Sequence, residues 1–295
     1  MVVENPEGSN KNGKIKGGWE GDASQQCLNV TFRYLRWAQE SVQVQPESEA
    51  AQDDRAFSVM SMREIVDGQI KAALDCLLLA TWSIVQGGAV RGHGHPALVR
   101  AALTASTCAA WIVDDNQHER RLRALQIAYA QVSAEALHVR DAPPGFRGAP
   151  NDDYAEFVAN RNSRPQRVID DGARLGLDVK LIPKKPADQK IVRRGGDRIP
   201  TDWLPGDDSG AFILAQWRIL SGRAHGFSWP IKYASDSVAL PDNASFISMD
   251  IGLTLDQGLG QIRTALIATR CAMDRWAQLA GVPEFEGAPW PAPLQ

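Results

Sequence analysis

Apolar residues recur along this chain at intervals of three and four rather than two, which is the period of amphipathic helices. The clearest case opens at Ser61, where Ser61 and Glu64 form an S-x-x-E capping box, each side chain able to satisfy a backbone N–H at a helix start. After it, Val66, Ile70, Leu74, Leu77, Leu78, Ile84 and Val85 fall within about a 120° sector at ~100° per residue, marking a core helix over 61–86. Gly87, Gly88, Gly92 and Gly94 make a turn, and Pro96 begins a second helix over 96–113, rich in alanine and small polar residues that allow close packing. Asp114, Asp115 and Asn116 stop it and can cap a third over 117–140. Helical pattern returns over 209–225, and a T-x-x-Q box at Thr254 opens a long last helix over 254–280 with Leu255, Leu259, Ile262, Leu266, Met273, Trp276 and Ala280 in one stripe.

Weaker signals place a first helix over Ala23 to Val42, broken by the acidic, Pro46-containing stretch 43–54, and another over Asn151 to Leu177 that Pro165 divides in two. Only Val179 to Ile182 and Ser245 to Ile251 resemble strands. The expected fold is therefore all-α, a multi-helix bundle of six to eight helices with long irregular loops. Its expected organisation is a flexible tail over 1–22, one helical domain over 23–282 carrying a basic loop at 178–208, and a Pro-rich tail over 283–295.

Composition narrows the class without naming a partner. The chain has 295 residues, 44% hydrophobic and 23% charged, with a formal net charge of −3, so no global field points to nucleic acid or membrane. Cys27, Cys76, Cys108 and Cys271 lack C-x-x-C spacing, and three lie in helix-like apolar stretches, as expected in a reducing compartment. The most apolar windows, 76–85 and 97–113, fall short of the ~20 apolar residues that cross a bilayer. With an N-terminus that has no apolar signal-peptide segment, the sequence reads as cytoplasmic, with no membrane partner.

Phosphate-loop, dinucleotide, nucleophile-elbow and zincin motifs are all missing. Arg91-Gly-His93-Gly-His95-Pro96 places two imidazoles in a glycine-rich turn, but no third and fourth ligand stand at readable spacing, so neither metal nor cofactor is expected. The segment Gln216-Trp-Arg-Ile-Leu-Ser-Gly-Arg-Ala-His-Gly226 is more informative. Arg218 and His225, seven residues apart, would lie within about 20° of one azimuth and about 10 Å apart along a helix, with Ser221 between them. Ile213, Trp217, Leu220 and Ala224 form an apolar stripe to one side. A histidine that moves protons and an arginine that holds a phosphate are the minimal parts of a metal-independent ribonuclease.

At these residues the sequence resembles the HEPN superfamily, helical-bundle proteins of bacterial toxin, abortive-infection and RNA-processing systems whose motif is Arg, four to six residues, then His; Arg218 and His225 match with six between. The resemblance implies metal-independent RNA cleavage to a 2′,3′-cyclic phosphate, commonly by two copies in a homodimer, with a role in a toxin or phage-defence system and an antitoxin or other protein as partner. In that reading His225 is general acid/base, Arg218 binds the scissile phosphate and Ser221 orients one of them. One position departs from the family: the residue after the arginine, often polar, is Ile219. The order of H-P-A-L-V-R-A-A, E-R-R-L-R-A-L and W-R-I-L-S-G-R-A-H-G also looks like a group of uncharacterised bacterial helical proteins over roughly 61–226.

Seven basic residues against two acidic ones give Lys180 to Arg198 a charge of +5 and leave −8 for the rest. Lys184, Lys185, Lys190, Arg193, Arg194 and Arg198 are the candidates for guiding an RNA backbone toward the next helix, with a solvated surface loop as the alternative. The competing reading of the whole chain is a non-catalytic helical interaction or scaffold protein. Ser221, Gly222 and Ala224 would then form a close crossing, His225-Gly226 would end the helix, and Arg218 would pair with a carboxylate.

Overall fold

The structure is a computed structural model that describes residues 18–40, 44–142, 154–230 and 253–285, without the side chains of 18–22 and 40. Nine α-helices and no strand occur among the described residues, so the chain is an all-α multi-helix bundle. In chain order they are α1 (Gly18–Glu40), α2 (Glu49–Ala56), α3 (Met62–Gly87), α4 (Gly94–Ile112), α5 (Gln117–Asp141), α6 (Tyr154–Arg174), α7 (Asp188–Gly196), α8 (Ser209–Ala224) and α9 (Leu255–Ala280).

The strongest sequence signals appear as hydrogen bonds. Both halves of the Ser61–Glu64 box and of the Thr254–Gln257 box are made, and Asn116 accepts the N–H of Glu119 to cap α5. α3 and α9 each end at a left-handed glycine, Gly88 and Gly281.

α4 lies at the centre, packed against α3, α9, α7 and α8, and residues 105–113 are buried without a break. Its hydroxyls cause no burial penalty because they turn back onto the helix: Thr104 donates to Arg100 O, and Ser106 and Thr107 to Leu103 O. α3 and α4 form an antiparallel hairpin closed by Ser83 and His95. α9 runs parallel to α4, since Gly258 sits against Val90 and Arg275 reaches the carbonyl of Val113. α8 runs antiparallel to α4, because Trp217 bonds Thr104 while the last turn of α8 meets His93. Length and composition alone would let α3 cross a membrane, but it serves here as a core helix, with Ile65, Val66, Ile70, Leu74, Leu77 and Ile84 buried.

Several boundaries differ from the sequence pattern. The stretch 43–54 was expected as a break, yet α2 occupies Glu49–Ala56: Ser48 caps it, and buried Asp53 receives Arg120 Nε at 2.7 Å and Arg121 Nε at 2.6 Å. α6 runs through Pro165 without division: Arg161 and Arg164, just before the proline, pair with Glu135 of α5, and Asp171 after it accepts the N–H of Ser58. α1 begins at Gly18, inside the expected tail, and Phe285 of the expected C-terminal tail packs on Tyr34 with ring centroids 5.0 Å apart. Val179 to Ile182 is a turn, and Ser245 to Ile251 lies outside the described residues.

The largest revision concerns 178–208. The expected basic loop contains α7, whose Ile191, Val192, Gly195 and Gly196 are buried in a wedge between α4 and α8. A Cβ on Gly195 would stand 2.1 Å from the carbonyl oxygen of Thr107, and one on Gly196 2.9 Å from Gly210 Cα, so both glycines permit backbone contact rather than mobility.

Two stability outcomes follow. Asp53→Ala, which leaves the fully buried Arg120 short of its anion, is expected to cost about 3–5 kcal/mol in urea unfolding, whereas the apolar double change Asp53→Leu with Arg120→Met costs less. Gly195→Ala is expected to destabilise by about 1–3 kcal/mol through overpacking against Thr107, while Gly206→Ser, where a side chain meets nothing, reports only its positive-φ strain.

Candidate functional site

The C-terminal half of α8 carries the Arg-x6-His pair, and its end is built by a Schellman closure. Phe227 N–H bonds Gly222 O at 2.8 Å and Gly226 N–H bonds Arg223 O at 3.0 Å, with Gly226 left-handed at φ 72°. His225 is thus the C-cap residue, as the helix-termination reading expects. Both Arg218 and His225 are nevertheless exposed, and neither has an ion-pair partner among the described residues. The His225 ring lies beside Phe227, centroids 5.9 Å apart. Arg218 therefore does not meet the neighbouring carboxylate that a packing role would supply.

Ser221 is placed differently from expectation. Its Oγ accepts Arg100 Nε at 2.6 Å, so it belongs to an α4–α8 contact and not to Arg218 or His225. Arg100 also lies over the Trp217 ring at 5.1 Å, and Trp217 Nε1 donates to Thr104 Oγ1 at 2.8 Å. The close approach expected at Gly222 is made to Trp229 and Pro230 folding back from beyond the helix, not to a crossing helix.

Half of the predicted RNA-guiding cations are already engaged. Lys185 pairs with Asp188, Arg193 with Asp197 and Asp208, and Arg198 with Asp114, all within the fold. Lys184, Lys190 and Arg194 are exposed and form no ion pair among the described residues. The net charge of the segment therefore overstates what it presents to a ligand.

The start of α4, against the last turn of α8, holds the two histidines that the sequence reading weighed only as metal ligands. His93, exposed at the N-cap of α4, lies with Nδ1 2.7 Å from Arg223 O. A carbonyl only accepts, so Nδ1 carries the proton, and in the neutral ring Nε2 is left as a lone-pair base. His95, two residues on, is the structural partner: its Nδ1 accepts Arg91 N–H at 2.6 Å, which leaves Nε2–H for Ser83 Oγ at 2.7 Å. Among the described residues no three His, Cys, Asp or Glu side chains gather as metal ligands would. The buried thiols are held protonated, Cys27 near 11 and Cys108 and Cys271 near 12, chiefly by desolvation.

One sequence signal would have found this region. The runs 76–113 and 209–235, which contain all of α4 and α8, hold no Asp or Glu, while they and the connecting turn supply Arg91, Arg100, Arg218, Arg223, His93, His95 and His225. None of these cations forms an ion pair with a described carboxylate, in contrast to the α5 end of the bundle.

Burial, and secondarily the charge of Arg91, lowers the His95 pKa below its usual value. Its folded state therefore takes up the proton less readily than the unfolded chain, so stability is full above the unfolded pKa near ~6.5 and declines as pH falls below it. The wild-type urea midpoint is expected to drop between pH 7.5 and 5.5, and His95→Gln to flatten that slope; an unchanged slope would count against the assignment. Comparison with family models, curated proteins and solved structures finds no match to this chain.

Proposed function

We propose that the α4–α8 face is an RNA-directed site that cleaves phosphodiester bonds without metal, as the likeness to the HEPN superfamily implies. The observation that carries this reading is the pair of exposed imidazoles, His225 at the end of α8 and His93 with Nδ1 fixed on the carbonyl of Arg223, at the end of two helices that hold no acid. In the reaction the RNA 2′-oxygen attacks phosphorus, the bond to the 5′-oxygen breaks, and a 2′,3′-cyclic phosphate and a 5′-hydroxyl result. The 2′-hydroxyl must lose a proton and the leaving oxygen must gain one, so a single imidazole completes only half of the exchange.

His225 performs one transfer, and the second falls to His93 or to the same histidine of a second copy. Arg218, exposed and without a described carboxylate partner, stabilises the charge gathering on the pentacoordinate phosphorus. Lys184, Lys190 and Arg194 remain as backbone contacts whose effect weakens with salt. Ser221 acts indirectly, through Arg100.

A second reading has its own observation. Phe227 and Trp229 stand 55% and 41% exposed at the same helix end, which also suits docking of a protein segment, such as an antitoxin, on a non-catalytic scaffold.

Purified protein is expected to cleave a mixed-sequence RNA in EDTA. Arg218→Ala and His225→Ala should each lower the rate by about 10²-fold or more, and His93→Ala should do so only if the second proton passes within one copy. Intact RNA with wild type, or cleavage unchanged in both Arg218→Ala and His225→Ala, refutes the nuclease reading; light scattering on the same samples separates one-copy from two-copy chemistry.

A further inference from the structure

Arg223 is a group that this reading leaves unused, and among the described residues it is the side chain with the most buried polar atoms lacking a hydrogen-bond partner. It is 1% exposed, and Nε and both terminal nitrogens of its guanidinium meet no acceptor. Arg120, equally buried, shows the contrast, with Asp53, Glu49 and the Asp114 carbonyl filling its donors. An unpaired buried cation is strongly unfavourable unless something supplies the missing acceptors. No acid lies in either helix at this junction to do so.

We propose that Arg223 is the receptor for a phosphate group at the α4–α8 junction. Three observations converge there. The guanidinium offers donors in a planar fork suited to two oxygens of one anion. His93 ties the carbonyl of Arg223 to the N-cap of α4, so this turn of α8 sits at the N-terminus of a 19-residue helix whose N-cap side chain caps none of its first-turn N–H groups. First-turn N–H groups there lack helical partners and favour an anion. Arg91 stands exposed on the glycine-rich turn that leads into the same N-cap. The turn containing Arg91, His93 and His95 thereby acquires a role as an oxyanion cradle.

A phosphate reaches the buried guanidinium only when its cover moves aside. The cover over the last turn of α8 is the Trp229–Pro230 segment against Gly222, reached through the left-handed Gly226, and both Phe227 and Trp229 remain exposed on its outer side. The inference deepens the phosphodiester reading but stands on the burial of Arg223, so the two can fail separately. The phosphate can be free or part of an RNA backbone.

Thermal unfolding of the full chain, in chloride and in inorganic phosphate at matched ionic strength, tests it. Saturating phosphate is expected to raise the wild-type Tm by a few degrees. Arg223→Met, which keeps the volume and removes the charge, is expected to be at least as stable as wild type in chloride and to lose the phosphate response. Arg223→Lys, for use if the Met variant does not fold, should need on the order of tenfold more phosphate for half-response, because the planar fork is gone. Arg218→Ala should keep the full response even where it abolishes RNA cleavage. A short RNA oligomer that cancels the phosphate response identifies backbone phosphate as the occupant, whereas additive responses identify free phosphate. A wild-type response no larger than that of Arg223→Met, or an undiminished response in Arg223→Lys, overturns the assignment.

Discussion

The bundle depends on the C-terminal half of α4 being buried on every side. Surrounded by α3, α7, α8 and α9, residues 105–112 have no solvent face, so they cannot carry charge, and the hydroxyls of Ser106 and Thr107 must bond the helix's own carbonyls. Small side chains then set how near the neighbours come. Gly195 of α7 touches the Thr107 backbone, and Gly196 in turn touches Gly210 of α8, so α7 and α8 are positioned by absent side chains as much as by present ones. The first half of α4 is less enclosed, with Gly94, Ala97 and Ala101 exposed, and Arg100, His93 and the Arg91 turn are found there.

Charge is consequently sorted along the molecule. At the α5 end, Arg120, Arg121 and Arg123 are matched by Asp53, Glu49, Asp114 and Glu119, a network that fastens α2 and the α4–α5 corner. Its worth lies in geometry more than in net energy, since buried ion pairs repay little beyond their desolvation. At the α4–α8 end the cations have no such matches. The formal charge of −3 averages these two ends and hides both.

Helix positions were legible in the sequence where capping side chains and a single apolar stripe coincide, as at Ser61, Asn116 and Thr254. α2 and α7 were not, because each is short and polar and is held by tertiary contacts: Asp53 by Arg120 in one case, Gly195 and Gly196 by backbone contact in the other. Pro165 misled for a related reason, since tertiary contacts brace α6 on both sides of the missing N–H: Arg161 and Arg164 pair with Glu135 before it, and Asp171 accepts the Ser58 N–H after it. Of the candidate site, the positions of Arg218 and His225 on one helix end were legible from spacing, and their exposure was not. The partner of Ser221 was beyond spacing altogether, since Arg100 lies more than a hundred residues away in the chain.

The same end of the bundle shows why side chains rather than backbone dipoles give the site its sign. α4 presents its N-terminus and α8 its C-terminus to one another, joined by His93 on Arg223 O, so the partial charges of the two helix ends are opposite and close together and their fields largely cancel outside the junction. What remains is the charge of Arg91 on the turn before α4 and of Arg100, Arg218 and Arg223 in two helices without a carboxylate. Arg100 is spent on Ser221 and Trp217, which leaves exposed Arg91 and Arg218 to meet a ligand from solvent and buried Arg223 to meet it from within. A ligand that answered only the exposed cations would leave the interior one uncompensated, so the arrangement favours one whose anionic oxygens reach past the surface to Arg223, as a phosphate group would do.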